Sequence, residues 1–191
     1  MADDLDHDAR TAPLELNEQA RPDVVTGAEL TPDERAPGEH LRQVHDMYRA
    51  ELQVVTELAE MVRSGTADLS DLRGTIHGMA VRTNIEEFGA ICLRYCSMVT
   101  THHTLEDQAI FPRVRAESVS YAALVDQLEH EHHAIHAQLR RVDEAMLAVD
   151  ADRGAVPAAL EEIDVLARIL RSHFAYEETQ LLEPLARVGL F

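Results

Sequence analysis

Residues 102–111 read HHTLEDQAIF and residues 173–182 read HFAYEETQLL. Laid over each other without a gap, the two segments pair His102 with His173, Glu106 with Glu177, and Ile110-Phe111 with Leu181-Leu182. A His and a Glu four residues apart lie on one face of an α-helix, one turn from each other. The same doubling occurs upstream of each segment. LRQVHDMYRAEL (41–52) aligns with LEHEHHAIHAQL (128–139), so that Leu41 falls on Leu128, His45 on His132 and Leu52 on Leu139. The second copy adds His136, one turn beyond His132. Two helical hairpins, each offering a histidine from its first helix and His-x-x-x-Glu from its second, predict an all-α fold. The expected architecture is a pseudo-twofold, up-down-up-down four-helix bundle.

Hydrophobic periodicity agrees with that reading. From Glu39, the residues Leu41, Val44, Tyr48, Leu52, Val55, Leu58 and Met61-Val62 form one stripe that stops at a Ser64-Gly65 C-cap, so helix A is expected over 39–63. Helix B is expected over about 84–115, and the segment starting at Asp68–Gly74 leads into it either continuously or through a kink near Gly78. Helix C is expected over about 120–149. Helix D is expected over about 156–186, with Pro157 in the first turn, where proline is tolerated, and Pro184 near the end. No stretch alternates with period two, so no sheet is expected. Residues 1–38 carry Pro13, Pro22, Pro32 and Pro37, many acids and no sustained apolar period. They read as an acidic, partly disordered tail, from which short pieces such as Ala12–Gln19 dock on the bundle. The chain thus divides into a tail, 1–38, and a bundle, 39–191.

Seven ionisable side chains fall on the inward stripes: His45, His102, Glu106, His132, His136, His173 and Glu177. Facing one core, they would be costly to bury unless a cation compensated them. A nitrogen- and oxygen-rich cage drawn from four helices suits two iron-type metal ions. The other histidines fit less well. His103 is rotated by about 100° from His102, which puts it beside the cage or in solvent. His133 is similar, His130 is off the face, and His40 precedes the stripe and reads as exposed. His77 could face inward from the extra segment. Tyr48, one turn after His45, and Tyr176, beside Glu177, are candidates to line the pocket or donate hydrogen bonds to it.

Composition narrows the partners. A formal net charge of −18, with every one of the 17 basic residues an Arg, excludes the basic clusters that phosphate contacts need. It argues equally against adsorption to anionic lipid. No apolar run approaches the roughly 20 residues of a membrane span, and MADDLDHDAR lacks a basic signal region. The expectation is a soluble, cytoplasmic protein acting on a small molecule. Cys92 and Cys96 lie four apart on one helix, where a disulfide is awkward; they read as small buried apolar residues, with a redox pair as the alternative.

Residues 39–188 resemble the hemerythrin-like, or HHE cation-binding, family, most specifically through HHTLEDQAIFP and HFAYEE. The resemblance implies an oxo- or hydroxo-bridged di-iron centre inside the bundle. It implies one iron held by His132, His136 and His173, and a second held by His45 and His102 with an open position for O₂, NO or peroxide. Glu106 and Glu177 would bridge. Oxygen-carrying members place an Asp five residues after the fourth-helix histidine, a position that is Glu178 here. Alignment with the chain's own HHTLE repeat favours Glu177, with Glu178 as the alternative. Either is longer than Asp, which moves the expectation from reversible oxygen carriage toward a catalase-like, peroxide-consuming enzyme. A reversible O₂- or NO-binding or sensing module, or an iron-responsive storage protein, is the alternative.

Overall fold

The computed structural model describes residues 14–65 and 94–189. The expectations placed on the extra segment, His77, Cys92 and the first turns of helix B lie outside the described residues. Among those described, the regular structure is entirely helical. Helix α1 spans Pro32–Arg63. Helix α2 covers 94–117, with a π-turn at Glu106–Ile110 and a last segment, Phe111–Glu117. Helix α3 is Val119–Ala151, α4 is Val156–Gln180, and the short α5 is Leu182–Val188. None of them is long and apolar enough to cross a membrane.

Helix α1 starts seven residues before the expected Glu39. The Thr31 hydroxyl accepts the Glu34 N–H, the Glu34 carboxylate accepts the Thr31 N–H at 2.8 Å, and Pro32 takes the first position. This capping box and the pre-set proline angle start the helix inside the stretch assigned to the tail. The buried pair Pro37-Gly38 then meets α5. A Cβ on Gly38 would lie 2.6 Å from Leu182 Cδ1, so a larger residue here would have to push the end of that side chain aside. Helix D, expected to run unbroken to 186, breaks after Gln180. Pro184 has no N–H for the Gln180 carbonyl and its ring crowds that carbonyl; the chain restarts as α5.

Paired contacts fix the topology. Arg63 meets Asp164 while His45 meets Glu178, so α1 and α4 run antiparallel. Arg94 meets Glu51 while His102 meets His45, which reverses α2 against α1. Arg115 meets Asp126 while Asp107 meets His132, and Gln138 meets Glu162 while Glu131 meets His173. Each helix is therefore antiparallel to its neighbours, in an up-down-up-down bundle. Two apolar clusters fill it, one around Leu52, Val99, Ile135 and Ile163, the other around Leu41, Phe111, Leu128 and Leu181. On each helix the sequence-predicted histidines lie between members of the two clusters. Each buried aliphatic or aromatic side chain contributes about 1.5–3 kcal/mol, and these two layers offset the cost of the polar layer between them.

Residues 14–24 contact α4, with one 3₁₀ turn at Glu18–Ala20, and residues 26–28 contact α5. The Tyr176 hydroxyl donates to the Pro22 carbonyl at 2.8 Å, and the Val24 N–H donates to Gln180 Oε1 at 2.8 Å. The Glu183 carboxylate accepts from the N–H groups of Thr26, Gly27 and Ala28 and from the Thr26 hydroxyl. The expected docking of short pieces extends further than Gln19: bundle side chains hold the backbone at Pro22–Ala28, and Leu14, Leu16 and Val24 add apolar contacts to the two clusters.

Candidate metal centre

Four helices deliver the polar layer. His45 comes from α1, His102, His103 and Glu106 from α2, His132 from α3, and His173 and Glu177 from α4; all are buried. They form two groups, and within each the ligand-type atoms lie inside 4.8 Å of one another. One group is His45, His102, Glu106 and Glu177; the other is His103, His132 and His173. The carboxylates join the groups. Glu177 Oε2 is 3.3 Å from His45 Nε2 and 3.5 Å from His173 Nε2. Glu106 has Oε1 3.4 Å from His102 Nε2 and Oε2 3.8 Å from His132 Nε2. Each glutamate thus faces one imidazole from each group.

The donors fit a cation. Both oxygens of Glu106 and Glu177, both ring nitrogens of His103, and Nε2 of His132, His136 and His173 are buried without a hydrogen-bond partner. Buried polar atoms are normally paired, and so many orphans pointing into one layer signal a missing positive centre. His45 Nε2 and His102 Nε2 sit 2.9 Å apart, a separation at which a shared proton or a shared cation satisfies both lone pairs. Imidazole and carboxylate donors suit iron-type metals.

The electrostatics agree. Burial, working against the pull of Glu177 and with the neighbouring imidazoles, takes His102 down to about 3. Burial and the surrounding histidines hold His103 far below the usual imidazole range, and burial also lowers His136 and His173. These rings are therefore neutral near neutral pH, the state in which imidazole ligates metal. Burial raises the Glu106 carboxyl well above its ordinary range, with Glu177 and Asp107 adding to the rise. Burial also opposes the charge on Glu177, but His173 and His45 outweigh it and the group is held low. The two carboxyls are thus pushed in opposite directions, Glu106 toward its neutral form and Glu177 toward its charged form.

A second ring of acids orients the imidazoles. His45 Nδ1 lies 3.0 Å from Glu178 Oε1, His132 Nδ1 is 2.7 Å from Asp107 Oδ1, and His173 Nδ1 is 3.1 Å from Glu131 Oε2. A carboxylate on Nδ1 fixes the tautomer and leaves Nε2 aimed inward. This separates the two glutamates that the sequence left open. Glu177 faces both groups, whereas Glu178 touches the outer nitrogen of His45 and is held by Arg49 Nη2 at 2.7 Å.

His103 departs most from expectation. Placed by its rotation beside the cage or in solvent, it is fully buried, stacked 4.0 Å from the His132 ring, and part of the three-histidine group. A bundle helix faces two neighbours, so adjacent residues about 100° apart can both point inward. His102 turns toward α1 and His103 toward α3. His136 is half-buried, with its ring 5.3 Å from that of His103; it borders the group rather than joining it. Tyr48 lies 5.0 Å from the His102 ring, whereas Tyr176 turns outward to the N-terminal segment. His40, His130 and His133 are exposed.

The π-turn also has a local purpose. It carries Glu106 and ends where the Phe111 N–H reaches back to the Glu106 carbonyl. One extra residue per turn moves the inward position from Ile110, which is half-buried, to Phe111, which is fully buried. Pro112, which offers no N–H to Gln108, favours that widening. Outside this turn, a cavity of about 220 Å³ lined by Val44, Tyr48, Leu105, Ile110 and Leu181 reaches His102 and Glu106.

The family model for the hemerythrin HHE cation binding domain matches residues 36–185. No curated protein and no solved structure matches the chain.

Proposed function

The chain belongs to the hemerythrin HHE cation-binding family, and we propose that it is a non-haem di-iron protein that reacts with peroxide. The observation behind this reading is the pair of buried donor groups joined by two partnerless glutamates. His103, His132 and His173 would hold one iron, with His136 at its edge, and His45 and His102 the other; Glu106 and Glu177 would bridge. Bound iron would supply a Lewis-acidic, redox-active centre. The chain's own groups do the rest. Glu178, Asp107 and Glu131 hold the rings with Nε2 inward, and the two apolar clusters keep bulk water from the polar layer. The cavity against His102 and Glu106 is walled mostly by carbon, which suits a small, weakly polar molecule such as peroxide, O₂ or NO. Two members of the two-histidine group, His102 and Glu106, line this cavity, so the iron held there would meet the ligand.

Iron analysis with an optical spectrum, recorded before and after H₂O₂, O₂ and NO addition, tests the reading. Two irons per chain with peroxide consumption and O₂ evolution are expected. A stable, reversible oxy or nitrosyl spectrum with negligible peroxide consumption would replace turnover by ligand binding. Failure to hold iron would sink both.

A further inference from the structure

Glu131 is the orienting carboxylate of His173, and its side chain is completely buried. Its Oε1 accepts from Arg21 Nε at 2.8 Å and Gln127 Nε2 at 2.9 Å; its Oε2 accepts from Arg21 Nη2 at 3.0 Å and His173 Nδ1 at 3.1 Å. The guanidinium thus grips both oxygens as a fork. The equivalent acid on His45, Glu178, takes its cation from Arg49 of α1, within the bundle. Glu131 takes its cation from residue 21, in the segment that precedes α1 and precedes the residues 36–185 that carry the family match. Arg21 is itself held in place, with its guanidinium 4.6 Å from the centre of the Tyr176 ring and Nη1 3.0 Å from Ser172 Oγ.

We propose that Arg21 is a positioning residue for His173, acting through Glu131, and that docking of the N-terminal segment and metal binding at the three-histidine group strengthen each other. This rests on the metal-binding reading above. A fully buried carboxylate without its counter-cation does not stay where it is: it turns toward water or draws on its remaining donors. Glu131 then no longer holds the His173 ring with Nε2 inward. Residues that orient a metal-ligating histidine typically change metal affinity about 10–100-fold. Coupling between two binding events is reciprocal, so iron tightens the docking of the segment by the factor through which the docked segment tightens iron.

The test uses the full chain and ferrous iron, titrated anaerobically against a colorimetric chelator. Arg21→Met should weaken one of the two bound irons about 10–100-fold and leave the other near its wild-type affinity. Arg21→Lys, which keeps the charge but loses the fork, should recover part of that loss. In a Glu131→Gln background Arg21→Met should add little, because the two act as one unit. Hydrogen exchange supplies the second readout. In the wild type, iron should slow exchange of the Val24, Thr26 and Gly27 amides; in Arg21→Met it should not. Wild-type affinity for both irons in Arg21→Met, the same loss at both, or additive losses in the double variant overturns the proposal. If Arg21→Met does not fold, the Arg21→Lys affinity and the wild-type exchange decide it. A wild type that binds no ferrous iron overturns the metal reading and this inference with it.

Discussion

Replacing Glu106 with Met should stabilise the metal-free protein and destabilise the iron-loaded one. Glu106 is 1 % exposed, and neither oxygen has a hydrogen-bond partner. Burial and the Glu177 charge favour its neutral form, so in the metal-free protein it is a buried, unsatisfied carboxyl. Such a group costs about 1–3 kcal/mol relative to a satisfied one, and an apolar replacement of similar length removes that cost without opening a cavity. The expected gain for Glu106→Met is therefore about 2 kcal/mol, or roughly 4–8 °C in melting temperature for a domain of this size. Iron reverses the order. A ligand bound only to the native state adds about 4 kcal/mol at a thousandfold excess over its dissociation constant, and the variant, lacking one of the two bridges, forfeits most of it. Thermal melts followed by circular dichroism, with chelator and with anaerobic ferrous iron, should rank iron-loaded wild type highest. The variant should come next under both conditions, and chelated wild type lowest. A chelated variant that melts below chelated wild type would show that Glu106 is a structural hydrogen-bonding group and refute the reasoning.

His103→Ala should lower bound iron as severely as His132→Ala, whereas His130→Ala and His133→Ala, at exposed positions, should leave it near two per chain; retention of full iron in His103→Ala would return that residue to the periphery. Val44→Phe should fill the cavity outside His102 and slow reaction with peroxide or NO about tenfold or more, a barrier of at least ~1.4 kcal/mol, while iron content holds; unchanged stopped-flow rates would mean the ligand arrives by another route. Glu183 is held below the ordinary carboxylate value of 4.5, first by the Thr26 hydroxyl and then, against a small burial cost, by the backbone N–H groups of Thr26, Ala28 and Gly27. Its contribution to docking the N-terminal segment is thus present in full above pH 4.5 and fades as pH falls through the depressed folded value. Exchange of the Thr26 and Gly27 amides should accelerate over that acid window, and Glu183→Gln should remove the pH dependence; a response centred above the ordinary carboxylate range would point to a different group.

The fold was legible because its signal is periodic and repeated. The doubled His-x-x-x-Glu set gave four helices, and the described parts of all four occur at the expected positions, altered by local chemistry: the capping box at Thr31 and the break before Pro184 move helix ends, and the π-turn before Pro112 widens α2 internally. The buried polar layer was legible where a residue shares a face with its repeat partner, as His45, His102, Glu106, His132, His173 and Glu177 do. It failed for His103 because a single-helix argument assigns each helix one inward direction, whereas a bundle helix has two neighbours and His103 uses the second. The orienting acids were illegible for a related reason. Asp107, Glu131 and Glu178 each sit next to a ligand in sequence, yet each serves a histidine on another helix: Asp107 that of α3, Glu131 that of α4, Glu178 that of α1. Their signal appears only once the antiparallel register is known, since a residue beside a ligand on one helix is then placed behind a ligand on the next. With that register in hand the pattern becomes a rule for this architecture. An acid directly flanking an inward ligand holds the Nδ1 of the neighbouring helix's histidine, and a cation must follow to hold the acid where it is buried. For Glu178 that cation comes from inside the bundle. For Glu131 it comes from Arg21, which is why a segment that reads as an acidic tail ends up tied to the buried polar layer.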